Sequence, residues 1–346
     1  MRRPRYPGEM PTMNKQVLLA ARPVGFPKST DFRLVESPVP EPGPGRFLVG
    51  ISYLSVDPYM RGRMNAARSY AEPQKLGEVM GGGAVGKVLV SHHPGFQVGD
   101  YVVGMFGWQQ YVVCDGPGVT KFDPRIAPIS ASIGVLGMPG LTAYFGLLDV
   151  CKPQAGETVV VSGAAGAVGS AVGQIAKIKG CRVVGIAGGA EKIGWITGEL
   201  GFDAGLDYKA ETNYSEKLKE LCPGGIDCYF DNVGGPITDA VFPLMNPNGR
   251  VAVCGQISMY NAEKPEPGAR LLPLVLVRTL TVKGFLVFHY MDRYGEAFQS
   301  LARWFGEGRL KHRETVAEGI ENAVGAFLGM LRGENIGKQL VSISSL

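Results

Sequence analysis

Thr158 to Ser162 (TVVVS) is an almost unbroken β-branched run, the pattern of a strand that sits inside a parallel sheet. Gly163, Gly166 and Gly169 follow at once in GAAGAVG, so the strand feeds a tight turn. Val168, Ala171, Val172, Ile175 and Ala176 then recur at the spacing that paints one apolar stripe along a helix. Arg182 to Ala187 (RVVGIA) returns to strand character. A strand, glycine turn, helix and second strand within about thirty residues has the size of half a dinucleotide-binding fold.

The alternation continues beyond it. Apolar strands are expected at Ile226 to Phe230, Arg250 to Cys254 and Leu280 to Val287, with helices near Glu191, Ser215, Leu271 and Phe298. This is the rhythm of an α/β, doubly wound parallel sheet. Residues from about 14 to 130 differ, being rich in Pro and Gly with brief strands at Arg46 to Tyr53, Gly83 to Val90 and Tyr101 to Met105. They predict a compact β-barrel-like domain. After about 310, one amphipathic helix (Val324, Phe327, Leu328, Leu331) precedes a strand near Lys338 to Ile343 that is placed to return to the first domain.

Composition changes this picture little. A chain of 346 residues, 45% hydrophobic and 19% charged, suits two ordinary globular domains. The formal net charge is +4, and Arg2, Arg3 and Arg5 against Glu9 account for half of it. The near-neutral remainder gives no reason to expect a nucleic-acid partner. Residues 1–13 are read as a flexible extension outside the fold, without the apolar core of a signal peptide. No run approaches the roughly 18 apolar residues of a membrane span. Six cysteines without a CxxC suggest reduced thiols in a cytoplasmic protein, and the four histidines show no metal-ligand spacing, so no metal is expected.

The candidate chemistry lies around the glycines. A pyrophosphate reaches backbone N–H groups at a helix N-terminus only where no Cβ obstructs it, and the helix dipole favours the anion. In NAD-type sites a carboxylate some 20 residues later holds the ribose 2′-hydroxyl. Here the second strand runs into Ala187, Gly188, Gly189, Ala190, Glu191 and Lys192, with no acid at its end. Lys192 in the first turn of a helix opposes the dipole unless an anion is near, and a 2′-phosphate would be that anion. Two other readings stay open, a solvated Lys192 paired with Glu191 and a Glu191 that grips the ribose itself.

Phrases distributed from about residue 14 onward carry a family likeness: LSVDPYMRGRM (54–64), GMPGLTAYFGLLD (137–149), GAAGAVG, FDNVGG (230–235), CGQISMYN (254–261) and GENIGK (333–338). With them the chain resembles the zinc-independent medium-chain reductases, in particular the prostaglandin reductases, the plant alkenal double-bond reductases and, most narrowly, the bacterial NADPH-dependent curcumin reductases. The resemblance implies a GroES-like substrate domain (14–134 and 310–346) around a Rossmann NADP-binding domain (135–309), assembled as a homodimer. It implies NADPH-dependent reduction of the carbon–carbon double bond of an α,β-unsaturated ketone or aldehyde, with curcumin-like enones, alkenals and 15-oxoprostaglandin-like compounds as the substrate class. Hydride would go to the β-carbon, and the α-carbon of the resulting enolate would take a proton from solvent. Zinc-dependent relatives carry a ligand Cys where this chain has Asp57, and a GHE triplet where it has Gly81, Gly82 and Gly83. The carbonyl must then be polarised by hydrogen bonds.

Site residues follow from the same resemblance. Tyr260 matches the tyrosine beside the nicotinamide and is the candidate catalytic donor, with the cofactor's own ribose hydroxyl as competitor. Gly166, Ala167, Val168 and Gly169 match the pyrophosphate turn, and Lys192 and Tyr208 the 2′-phosphate contacts. Asn232, Cys254, Gly255, Ser258, Phe285, Leu286, Val287 and Asn335 match positions around the ribose and nicotinamide. Tyr53, Tyr59 and Met138 are expected at the substrate cleft, although Tyr53 and Tyr59 would also serve as core aromatics and Asn335 as a left-handed loop residue. Two other functions remain as alternatives, a zinc-independent NADPH quinone reductase and a non-catalytic nucleotide-binding adaptor.

Overall fold

The computed structural model describes residues 12–67, 69–264 and 266–343. Of the extension expected at 1–13, residues 1–11 lie outside the described residues, and Met13 already opens the first strand. Two lobes follow. One begins with β1 (Met13–Leu19), β2 (Phe32–Pro38), β3 (Phe47–Ser55), α1 (Tyr59–Arg63), β4 (Ala84–Ser91), β5 (Tyr101–Gly104), β6 (Tyr111–Cys114) and β7 (Thr120–Lys121). The other runs through α2 (Met138–Phe145), β8 (Thr158–Ser162), α3 (Ala167–Ile178), β9 (Arg182–Ala187), α4 (Ala190–Gly198), β10 (Ala204–Asp207) and α5 (Tyr214–Leu221). It continues with β11 (Ile226–Asp231), α6 (Gly235–Val241), β12 (Met245–Val253), α7 (Leu272–Val277), β13 (Thr281–Gly284) and α8 (Tyr294–Gly306). The chain then returns to the first lobe with β14 (Glu314–Glu318), α9 (Ala323–Leu331) and β15 (Lys338–Ser342).

The second lobe is a six-stranded sheet in the order β10-β9-β8-β11-β12-β13, with every neighbouring pair parallel. Every residue of β8 is buried, as a central parallel strand covered on both faces requires. The order in which strands are added reverses between β8 and β11, and in open sheets of this kind ligands bind in the crevice beyond the carboxyl ends at that switch. Leu280 to Val287 is only partly a strand: β13 stops at Gly284, the buried Phe285 packs edge-on against Phe230, and Val287–Arg293 winds into 3₁₀ turns.

The first lobe is an antiparallel-rich sheet, β14-β15-β3-β4-β5-β7, with β6 also on β3 and β1 paired to β2. β15 lies antiparallel to β3, with Leu340 opposite Ser55. Its core holds Phe32, Trp108 and Phe327 as a cluster of stacked and edge-on rings, so the α9 face predicted from its apolar spacing closes this lobe.

Candidate active site

β8 ends at Ser162, and Gly163 turns the chain with a φ of 62°. Gly166 stands extended as the cap residue of α3, and no side chain caps the first-turn amides. A Cβ on Gly169 would lie 2.3 Å from the Gly163 carbonyl oxygen, so a side chain there would force the turn open. The far end of the chain walls the turn, for Gly337 N–H donates to the Ala165 carbonyl at 2.8 Å. Asn335 Nδ2 donates to Gly337 O at 2.8 Å and shapes that wall. Its backbone is not left-handed, which removes that reading of Asn335.

Beyond β9, the Tyr208 ring lies directly over Gly188, where a Cβ would come within 2.7 Å of the ring. Lys192, in the first turn of α4, donates from Nζ to Gly333 O at 2.6 Å. Glu191 pairs with Arg313 at 3.0 Å rather than with Lys192, and its side chain stays largely exposed. Burial, and then the nearby Lys209 cation, lower the Lys192 pKa. An added anion would relieve both. Asp207, the acid at the end of β10, is committed to the amides of Gly189 and Lys209, which hold its pKa low.

At the opposite side of the switch, β11 ends in the buried Asp231. Its carboxylate accepts from Ser162 Oγ, Tyr229 OH and the amides of Val233 and Gly234 on one oxygen, and from Thr238 Oγ1 and Gln256 Nε2 on the other. Those bonds fix the two loops that hold most of the predicted nicotinamide contacts. Asn232 Nδ2 donates to Ser162 O at 2.7 Å, and Ser258 Oγ to Val233 O at 2.7 Å. The loops border a cavity of ≈ 390 Å³ whose walls include Cys254, Gln256, Tyr260, Leu286 and His289. The Tyr260 hydroxyl accepts from the Gln256 amide at 3.4 Å, and burial raises its pKa. Burial likewise pushes the Cys254 thiol up to about 12. Phe285 reaches the cavity at its rim while its ring serves the core.

On the first lobe, Tyr59 opens α1, and burial followed by the charge of Asp57 raises its phenol. Tyr53 packs against Val85, Ile133 and Leu340, the core role foreseen as its alternative. Met138 opens α2 and is 37% exposed. Asp57 is buried, 3.1 Å from the Lys338 ammonium and bonded to Ser55 Oγ, so its carboxylate is spent. Among the described residues no group of three or more His, Cys, Asp or Glu is placed to hold a metal ion. No helix among them is long and apolar enough to cross a membrane.

Sequence reasoning missed Asp231, Gln256, His289 and Tyr70, whose ring lies 6.0 Å from that of Phe288. Asp231 and Gln256 stood inside quoted phrases, and an acid ending an apolar strand was the available signal; His289 stood in VFHYMD (287–292), a stretch expected to border the substrate side, and Tyr70 carried no signal.

Residues 15–122 match the family described as N-terminal domain of oxidoreductase, and residues 167–304 the family described as zinc-binding dehydrogenase. The chain is 46% identical to the NADPH-dependent curcumin reductase of Escherichia coli (strain K12) over 342 residues, 97% of this chain and 99% of that one. It is 44% identical to the 2-alkenal reductase (NADP(+)-dependent) of Nicotiana tabacum over 337 residues, covering 96% and 98%. The crystal structure of CurA from Vibrio vulnificus in complex with NADPH superposes with a TM-score of 0.92 at 46% identity, covering 96% of this chain and all of that one (100%).

Proposed function

This chain belongs to the zinc-independent medium-chain reductases that include the curcumin, prostaglandin and 2-alkenal reductases, and from that premise we propose that it reduces the carbon–carbon double bond of α,β-unsaturated ketones and aldehydes with NADPH. The observation that carries the reading is a phenol, Tyr260, whose pKa is raised by burial, on the wall of the cavity beside the loops that Asp231 holds.

The residues present fit the cofactor. The uncapped amides of Ala167 to Gly169 suit the pyrophosphate, and Lys192 with Tyr208 suits the 2′-phosphate, where an anion would relieve two neighbouring cations. Asn232, Cys254, Gly255, Ser258, Phe285 to Val287 and Asn335 are assigned to the ribose and nicotinamide. When bound, NADPH supplies the hydride. Tyr260 stays protonated through neutral pH and donates to the carbonyl oxygen, where negative charge gathers as the enolate forms. Solvent at the open mouth of the cavity returns a proton to the α-carbon. Tyr59 and Met138 bound the substrate side, with Tyr53 behind them. Residues 14–134 with 310–346 act as the substrate domain and 135–309 as the cofactor domain.

The working form is a cytoplasmic homodimer. β13, the edge of the parallel sheet, is exposed along its whole length, and Leu272, Leu276 and Val277 of the neighbouring α7 are about four-fifths exposed (80%, 78% and 79%). An open edge beside an apolar helix is what a second copy would cover.

Following NADPH oxidation by its near-ultraviolet absorbance against a 2-alkenal, curcumin, a benzoquinone and, with NADP+, a saturated alcohol tests the reading. Rapid turnover of the alkenal or curcumin is expected. Activity on the quinone alone would make the chain a quinone reductase, and no turnover at all an adaptor. Tyr260→Phe should lower kcat by about 3 kcal/mol of transition-state stabilisation; an unchanged kcat would pass the donor role to the ribose hydroxyl.

A further inference from the structure

Arg61 of α1 is 3% exposed, yet among the described residues no carboxylate lies within ion-pair distance of its guanidinium. Burial lowers its pKa against the opposing influence of Asp31. Its charge is met instead by three neutral oxygens from three segments. Nη2 donates to Gly25 O at 2.9 Å, Nη1 to Asn65 Oδ1 at 2.7 Å, and Nε to Asn261 Oδ1 at 3.1 Å. The first two belong to its own lobe. Asn261 belongs to the other lobe and directly follows Tyr260.

The loop that carries Tyr260 is held unevenly. Its beginning is tied to β11 by the amides of Cys254 and Gly255 on Asp231 O, by Ile257 and Ser258 on Asn232 O and Val233 O, and by Gln256 Nε2 on the Asp231 carboxylate. From Tyr260 onward the described backbone bonds stay inside the loop: Tyr260 N–H to Ile257 O at 3.3 Å and Ala262 N–H to Met259 O at 3.1 Å. The described side-chain hydrogen bond from this loop to the first lobe is that of Arg61 to Asn261. A guanidinium suits it because its fixed fork reaches three acceptors at once, which an ammonium cannot reproduce.

We propose that Arg61 is a positioning residue for Tyr260: by gripping Asn261 across the gap it fixes where the phenol stands in the cavity, and it does so only while the two lobes are together. The kinetic side of this rests on the catalytic reading of Tyr260 given above; the structural side does not. Arg61 variants risk misfolding, since they empty a buried position that ties three segments together, so the first variant is Asn261→Ala, made from the partly exposed end.

Hydrogen exchange in the NADPH-free protein should show peptides across 256–262 exchanging about tenfold faster in Asn261→Ala, with the β8 and β11 strands unchanged. Unchanged exchange at 256–262 overturns the grip, whether or not the protein reduces an enone. With NADPH and a 2-alkenal, Asn261→Ala should lower kcat about tenfold in the wild-type background and less than about twofold in Tyr260→Phe, because the effect passes through the phenol. Equal losses in both backgrounds would overturn the link to Tyr260. Asn261→Asp, which keeps an acceptor, should stay within about threefold of wild type. Failure of the wild-type protein on the whole substrate panel would sink the functional reading by itself, and the exchange result would still decide the grip.

Discussion

Asp231 and Asp57 are both almost wholly buried, 1% and 5% exposed, and the two lobes meet the cost of hiding a carboxylate in opposite ways. Asp231 has six neutral donors drawn from β8, β11, the following turn, α6 and the Tyr260 loop, and no cation. Asp57 has one cation, Lys338, and one hydroxyl, Ser55. A ring of neutral donors spreads its stabilisation over many directed bonds and therefore sets a geometry. An ion pair concentrates it in one contact and sets only that the β3–α1 connection meets β15.

The comparison predicts unequal fragility. Lys338→Met leaves Asp57 buried and alone and should cost about 3–5 kcal/mol in urea unfolding, whereas Asp57→Asn with Lys338→Met should recover most of that loss. A single variant no worse than the double would show that water already reaches the pair. Asp231→Asn should cost about 1–3 kcal/mol, because an amide turns donors toward Thr238 and Gln256, and kcat should fall with it as the Tyr260 loop loosens. Stability lost without kcat would confine Asp231 to the fold. Gln256→Ala removes one donor of the six and should cost about 1 kcal/mol or less. The half-exposed pair Asp203–Lys177, at 2.8 Å, sets the bottom of the scale. Burial opposes ionisation of Asp203, yet the Lys177 ammonium and the Val183 amide override it and its pKa falls. Its contribution, under about 1 kcal/mol, is present above the unfolded pKa of about 3.9 and is lost as pH drops through the lower folded value. Asp203→Asn should flatten that acid limb in a pH series of unfolding midpoints.

Legibility in the sequence followed sequence distance. TVVVS, GAAGAVG and RVVGIA became β8, the turn and β9 because each carries a strong local signal, a glycine turn between two apolar β-branched runs that are buried on both faces. β10 was invisible because Ala204–Asp207 is short and carries a glycine, and Leu280 to Val287 was overread because burial of Phe285 beside Phe230 mimics a continuing strand. CGQISMYN pointed to Tyr260, and the missing acid after the second strand pointed to Lys192, but neither showed what holds them. Arg61 is 200 positions from Asn261, and Ser162 is 69 from Asp231, and no local periodicity encodes such pairs.

Residues 333–342 join everything late. Gly333 takes the Lys192 ammonium, Gly337 closes on Ala165, and Lys338 reaches Val56, its acceptor 282 positions earlier. A ribosome therefore delivers the strip that seals the two lobes only after α9, which closes the first of them, has been made. Nascent chains stalled ahead of Gly333 would carry a glycine turn with one wall missing.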